Sequence, residues 1–76
     1  MRPFVDDQGR EWDVVVGRES WGSLYALFVP KGETDRGVRQ ALLEALSLDE
    51  GSRIVNEMGE AELGELFRGS EPKSQG

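Results

Sequence analysis

Four carboxylates crowd the first turn of this chain: Asp6 and Asp7 side by side, then Glu11 and Asp13. Two carboxylates suffice for acid and base work on a glycosidic bond, provided that one sits in an apolar, water-excluding pocket that raises its pKa. A chain of 76 residues has little interior to spare for such a pocket. The spacing therefore reads as a solvated hairpin turn. It also lacks the alternating Asp-x-Asp-x-Asp-Gly order of a calcium loop. The chain has no Cys and no His, which removes thiolate nucleophiles, disulfide staples, the usual metal ligands and the usual general base near neutral pH. The expectation is a protein with no catalytic activity, no metal and no cofactor.

Gly17 and Gly22 bracket four residues and invite a phosphate-loop reading. That reading fails, because Ser23-Leu24 stands where Lys-Ser or Lys-Thr is required and Leu24 opens a strand rather than a helix. Arg2, Arg10 and Arg18 are the cations of the first 30 residues, and with Trp12, Trp21 and Tyr25 they match the composition of a surface that stacks bases and holds phosphates. A small nucleic-acid-binding domain using these residues is the alternative reading. Against it stand 15 acidic side chains to 9 basic ones, a net charge of −6, and the lack of a concentrated basic stripe.

From Glu44 to Glu65 there are seven acidic residues and one basic residue. Such a surface is suited to steering toward a basic patch on another protein, one that itself handles nucleic acid. The favoured function is thus a non-catalytic protein-binding module: an adaptor, inhibitor or regulatory subunit. Its expected contact residues are Arg18, Trp21 and Tyr25 on the sheet side and Glu57, Glu60 and Glu62 on the acidic helical side. Trp21 lies on a connection, where an indole either packs back over the sheet edge, the commoner arrangement, or is left for a partner.

The elements that position these residues centre on Glu11 to Pro30, two apolar strands joined through Gly17 to Ser23. Trp12, Val14 and Val16 alternate with Glu11 and Asp13, the period of a half-buried strand, which makes Trp12 a core residue. Leu24 to Val29 carries no charge and reads as the central strand. A strand apolar on both faces must be covered twice. If two short helices cannot reach both faces, an open face or edge pairs with another chain, either a second copy or a partner's extended segment. A homodimer at micromolar concentration is one expected outcome.

Phe4 and Val5 form a first edge strand, which tolerates Pro3, and Asp6 to Arg10 turns it back. Lys31 to Gly37 is a loop. Val38 to Leu46 is ambiguous. Val38, Ala41, Leu42, Ala45 and Leu46 fit a helical stripe, yet Ser47-Leu48-Asp49-Glu50 has the Ser-x-x-Glu form of a cap that begins a helix. The reading adopted is a fourth strand over Val38 to Ala45. Leu48, Gly51, Ile54, Val55 and Met58 then share one side of a helix, in which Gly51 is costly unless a strand lies close beneath it. After Gly59, the residues from Glu60 to Arg68 form a second helix with acidic residues in its first turn.

The opening Phe4-x-Asp6 with Gly9-Arg10-Glu11-Trp12, the apolar strand that follows, and the closing Glu62-Leu63-Gly64-Glu65-Leu66 helix resemble short uncharacterised bacterial proteins. That resemblance covers most of the chain; it implies an α+β fold and carries no activity or site. The expected architecture is α+β, an antiparallel three- to four-stranded meander followed by two short C-terminal helices. Residues 1–69 make one domain and 70–76 a disordered tail. No apolar run approaches the roughly 20 residues that span a bilayer, and the first residues lack a secretory pattern, so a cytoplasmic location is expected.

Overall fold

The computed structural model describes residues 2–18, 22–32 and 36–73. In chain order the elements are β1 (Arg2–Val5), β2 (Glu11–Arg18), β3 (Leu24–Pro30), β4 (Arg39–Leu43), α1 (Leu48–Glu57), α2 (Glu60–Arg68) and β5 (Glu71–Pro72). The strands form one antiparallel sheet in the order β1-β2-β3-β4-β5, with both helices on one face. The fold is α+β. It has five strands where three or four are expected from the sequence. Among the described residues no helix is long and apolar enough to cross a membrane.

The first hairpin is set by Asp6. Its Oδ1 accepts the backbone N–H groups of Gln8 and Arg10, each at 2.9 Å, while Gly9 takes the positive φ of 80° that the turn requires. Pairing then places Phe4 opposite Trp12, and Val14 opposite both Arg2 and Phe28. Alternation sends Phe4, Trp12, Val14, Ala26, Phe28, Ala41 and Leu43 to the inner face, where Val55 of α1 and Leu63 of α2 close over them. Phe67 of α2 is the hub of the aromatic cluster, with ring centroids 5.0 Å from Trp12, 5.1 Å from Phe28 and 5.3 Å from Phe4. Edge and tilted contacts of this kind add to the stability from area burial alone.

The ambiguous segment is a strand. Ala41 and Leu43 are buried against β3, whereas Leu42 is 60% exposed and Leu46 92% exposed, so a helical stripe that buried both leucines does not exist. Ser47 caps α1 by accepting the Glu50 N–H at 3.1 Å, and Glu50 reaches back to the Leu46 N–H at 2.7 Å. Gly51 is buried over β2. A Cβ there would lie 3.0 Å from Val16 Cγ1, so the missing side chain lets the helix settle onto the strand. The end of α1 is closed by Arg2, which donates to the carbonyls of Val55 at 2.9 Å and of Met58, placing a cation at the negative helix end.

The expected tail from Ser70 requires a correction over residues 70–73. Ser70 is buried, Glu71 and Pro72 pair with Gln40 and Arg39, and the Lys73 N–H donates to Val38 O at 2.8 Å. Pairing of this kind uses backbone groups and needs no large apolar side chain. Pro72 is tolerated because its position alternates with the bonded ones, so its missing donor is not needed by β4. Residues 74–76 lie outside the described residues.

Candidate binding surfaces

Two surfaces stand out, one on each side of the sheet. The first is the outer face, opposite the helices. Alternation presents Val5 of β1, Val15 of β2, Tyr25, Leu27 and Val29 of β3, and Leu42 of β4 to this side. Val5 is 55% exposed and the β3 residues are half-buried, while both described helices pack on the inner face. The charged side chains that the strands place here are Glu11, Asp13 and Glu71, all acidic. Gly17, opposite Tyr25, leaves room for the end of the Leu27 side chain: a Cβ on Gly17 would meet Leu27 Cδ1 at 2.8 Å.

The second surface is a cleft of about 400 Å³ at the end of the sheet where the β1–β2 turn, the segment before β4 and α2 converge. Arg10, Arg36, Arg39 and Arg68 line it, with Trp12 and Phe67 at its base. These are four of the seven arginines of an acidic chain. The Arg36 guanidinium lies 4.8 Å from the Trp12 ring centroid and that of Arg39 5.8 Å from Phe67, within cation–π range. Arg10 is held through Nε by Asp6 Oδ2 at 3.2 Å, and Arg68 through Nη1 by Asp7 Oδ2 at 3.5 Å. Arg39 donates from Nε to Ser70 Oγ at 2.9 Å and from Nη2 to Ser70 O at 2.6 Å.

The side chain of Asp6 is only 4% exposed. Burial pushes its carboxyl up, but the Trp12 indole N–H, the backbone N–H groups of Arg10 and Gln8, and the Arg10 charge together hold it below its ordinary value. An ionised, fully engaged carboxylate is an anchor and not a proton donor at neutral pH. Its neighbours do not converge on it either, since Glu11 and Asp13 point to the outer face. Among the described residues no group of three or more His, Cys, Asp or Glu side chains is arranged to hold a metal ion.

The contact residues expected from the sequence are scattered. Tyr25 lies half-buried on the outer face and Arg18 is exposed at the end of β2. Glu57 pairs with Arg53 at 3.5 Å, Glu60 with Arg2 at 3.4 Å, and Glu62 Oε1 accepts the Gly59 N–H at 3.3 Å, so all three are engaged around the junction of α1 and α2. The sheet therefore separates them from Tyr25. Trp21 lies outside the described residues. Sequence reasoning missed Arg36, Arg39, Arg68 and Phe67 as cleft residues. The available signal was Arg39, a cation on the buried alternation with Ala41 and Leu43.

Compared with family models, with curated proteins and with solved structures, the chain matches none.

Proposed function

We propose that this chain is a non-catalytic protein-binding module, of the adaptor, inhibitor or regulatory type, docking through the outer face of its sheet. The observation that carries this reading is that, among the described residues, the helices cover an apolar central sheet on one face, with Leu42 and Val5 more than half exposed. The occupant that fits is a flat apolar protein surface bordered by basic side chains. Glu11, Asp13 and Glu71 supply the complementary acidic charges, and the net charge of −6 extends their field. A second copy fits less well, because it brings the same carboxylates to the contact.

Four strands about 4.8 Å apart, with about 3.3 Å per residue over an average of six residues, give a footprint of about 380 Å². Stable interfaces bury about 800 Å² on each partner, so the contact belongs with transient ones of micromolar affinity.

The nucleic-acid alternative draws on Arg10 and Trp12, which share the cleft. It is weakened by Arg2, committed to the end of α1, and by Arg18 and Tyr25, neither of which lines that cleft.

The test is affinity capture from nuclease-treated lysate with wild type, Leu42→Lys and Arg68→Gln side by side, with sedimentation velocity on each. The expected result is a stoichiometric protein with a basic surface. It is retained by wild type and Arg68→Gln, lost with Leu42→Lys, and released severalfold between low and half-molar salt. Retention indifferent to Leu42→Lys overturns the reading. So does a dimer of this chain that occupies the face and leaves no other protein bound.

A further inference from the structure

The arginine cleft serves a separate purpose from the outer face, and we infer that it binds a small phosphate monoester in its dianionic form. Arg10 enters from the β1–β2 turn, Arg36 from the loop before β4, Arg39 from β4 and Arg68 from α2. No helix or strand repeat brings them together; the tertiary fold does. Asp6 offsets part of the charge of Arg10 and Asp7 part of that of Arg68, whereas Arg39 is held by Ser70, a neutral partner, so an anion entering the cavity is attracted to its guanidinium.

The way each arginine is held fits that role. Arg10 is anchored through Nε, Arg39 through Nε and Nη2, and Arg68 through Nη1. Among the described residues the hydrogen bonds of Arg10 and Arg39 and the ion pair of Arg68 leave both Nη groups of Arg10, Nη1 of Arg39 and Nη2 of Arg68 as donors for a ligand. Asp6 and Ser70 thus fix the positions of Arg10 and Arg39 without using every N–H, while Arg68 and Asp7 form an exposed ion pair. The Arg36 guanidinium rests over the Trp12 ring.

The ligand class follows from shape and charge. A carboxylate offers two oxygens in one plane, which one guanidinium satisfies bidentately. A phosphate monoester offers three terminal oxygens in a tetrahedral array, suited to several guanidiniums approaching from different walls. The apolar part of the lining, Val38, Pro72 and Phe67, accommodates a compact organic group on the ester oxygen. A long polyanion is disfavoured because the surface beyond the cleft is acidic, notably across Glu57, Glu60 and Glu62.

The probe is phenyl phosphate, titrated into 15N-labelled protein while the arginine Nε–Hε and Trp12 indole resonances are followed. Saturable shifts of Arg10, Arg39 and the Trp12 indole at about pH 7.5 are expected, weakening severalfold near pH 5.5, because the second phosphate pKa is about 6 and arginine does not titrate there. Arg36→Gln and Arg68→Gln should each weaken binding by roughly tenfold, the loss of one charge-assisted contact. Both replace side chains that are not wholly buried, and Arg53→Gln on α1 should leave binding unchanged. Shifts that fail to saturate by about 20 mM, or that persist in the Arg36→Gln, Arg68→Gln double variant, overturn the proposal. Inorganic phosphate binding as tightly as the ester removes the organic part of the assignment. A single-stranded oligonucleotide binding more tightly through the same arginines replaces it with a nucleic-acid site.

Discussion

The Trp12 indole donates from Nε1 to Asp6 Oδ2 at 3.0 Å, joining the first turn to the aromatic core. One carboxylate thereby closes the hairpin through two backbone N–H groups, satisfies a buried indole and orients Arg10. Buried donors left without acceptors carry their full desolvation cost, so these bonds are coupled.

Asp6→Asn should destabilise the fold by about 1.5–3 kcal/mol, the range for losing hydrogen bonds to a charged group. The sign of the pH dependence follows from the lowered folded-state pKa of Asp6, whose ordinary value is 3.8. Its contribution is present above that value and is lost as pH falls through the lower folded-state value. Urea denaturation of wild type and variant from neutral pH to about pH 3 should show the difference shrinking toward the acid end. A constant difference would mean that the charge of Asp6 is immaterial.

A second anchor holds the end of the described chain. Arg39 donates to both Ser70 Oγ and Ser70 O, and just beyond, Lys73 N–H meets Val38 O. Arg39→Leu should free β5, speeding amide exchange at Lys73 by at least tenfold and lowering stability by about 1–3 kcal/mol. Arg39→Lys should not rescue it, since one ammonium cannot reproduce the two-nitrogen fork. Unchanged exchange at Lys73 in either variant would show that β5 holds by backbone pairing alone.

What the sequence made legible was local. Trp12, Val14 and Val16 announced the inner face of β2 by their period, and Ser47 announced the start of α1 by its cap. That cap also resolved the segment before it, because a helix ending at Leu46 left no room to turn. Glu71-Pro72 gave no signal, since its pairing depends on backbone groups that every residue possesses. The cleft was hidden for a different reason. Arg10, Arg36, Arg39 and Arg68 belong to four segments whose meeting depends on sheet order and on where α2 crosses β4. Composition alone set the acidic total in view and concealed the local reversal of sign.

Gly51 offers a test of how closely α1 is seated. Alanine improves helix propensity by about 1 kcal/mol, but its Cβ would sit 3.0 Å from Val16 Cγ1, within a packed layer that also includes Leu43. The two effects should nearly cancel in wild type, and Gly51→Val should cost about 1–3 kcal/mol through overpacking. In a Val16→Ala background the clash disappears, so Gly51→Ala should become stabilising by about 1 kcal/mol. A double-mutant cycle with no coupling would place the helix farther from β2 than described.

Gly17 presents the same geometry with a different consequence, because its neighbour is free to move. An added Cβ would meet Leu27 Cδ1 at 2.8 Å, the far end of a side chain on the outer face. Leu27 can therefore rotate away from the sheet, so Gly17→Ala should cost no more than about 1 kcal/mol in stability. The contour of the outer face, however, depends on the end of Leu27 reaching over that glycine. If this face is the docking surface, Gly17→Ala should weaken capture of the partner by roughly tenfold while leaving the denaturation midpoint nearly unchanged, an effect equivalent to about 1.4 kcal/mol of lost complementarity. Phenyl phosphate binding in the arginine cleft, on the other side of the sheet, should be unaffected by the same substitution. Loss of both activities together would point instead to a general disturbance of the fold, and loss of neither would remove Leu27 from the contact.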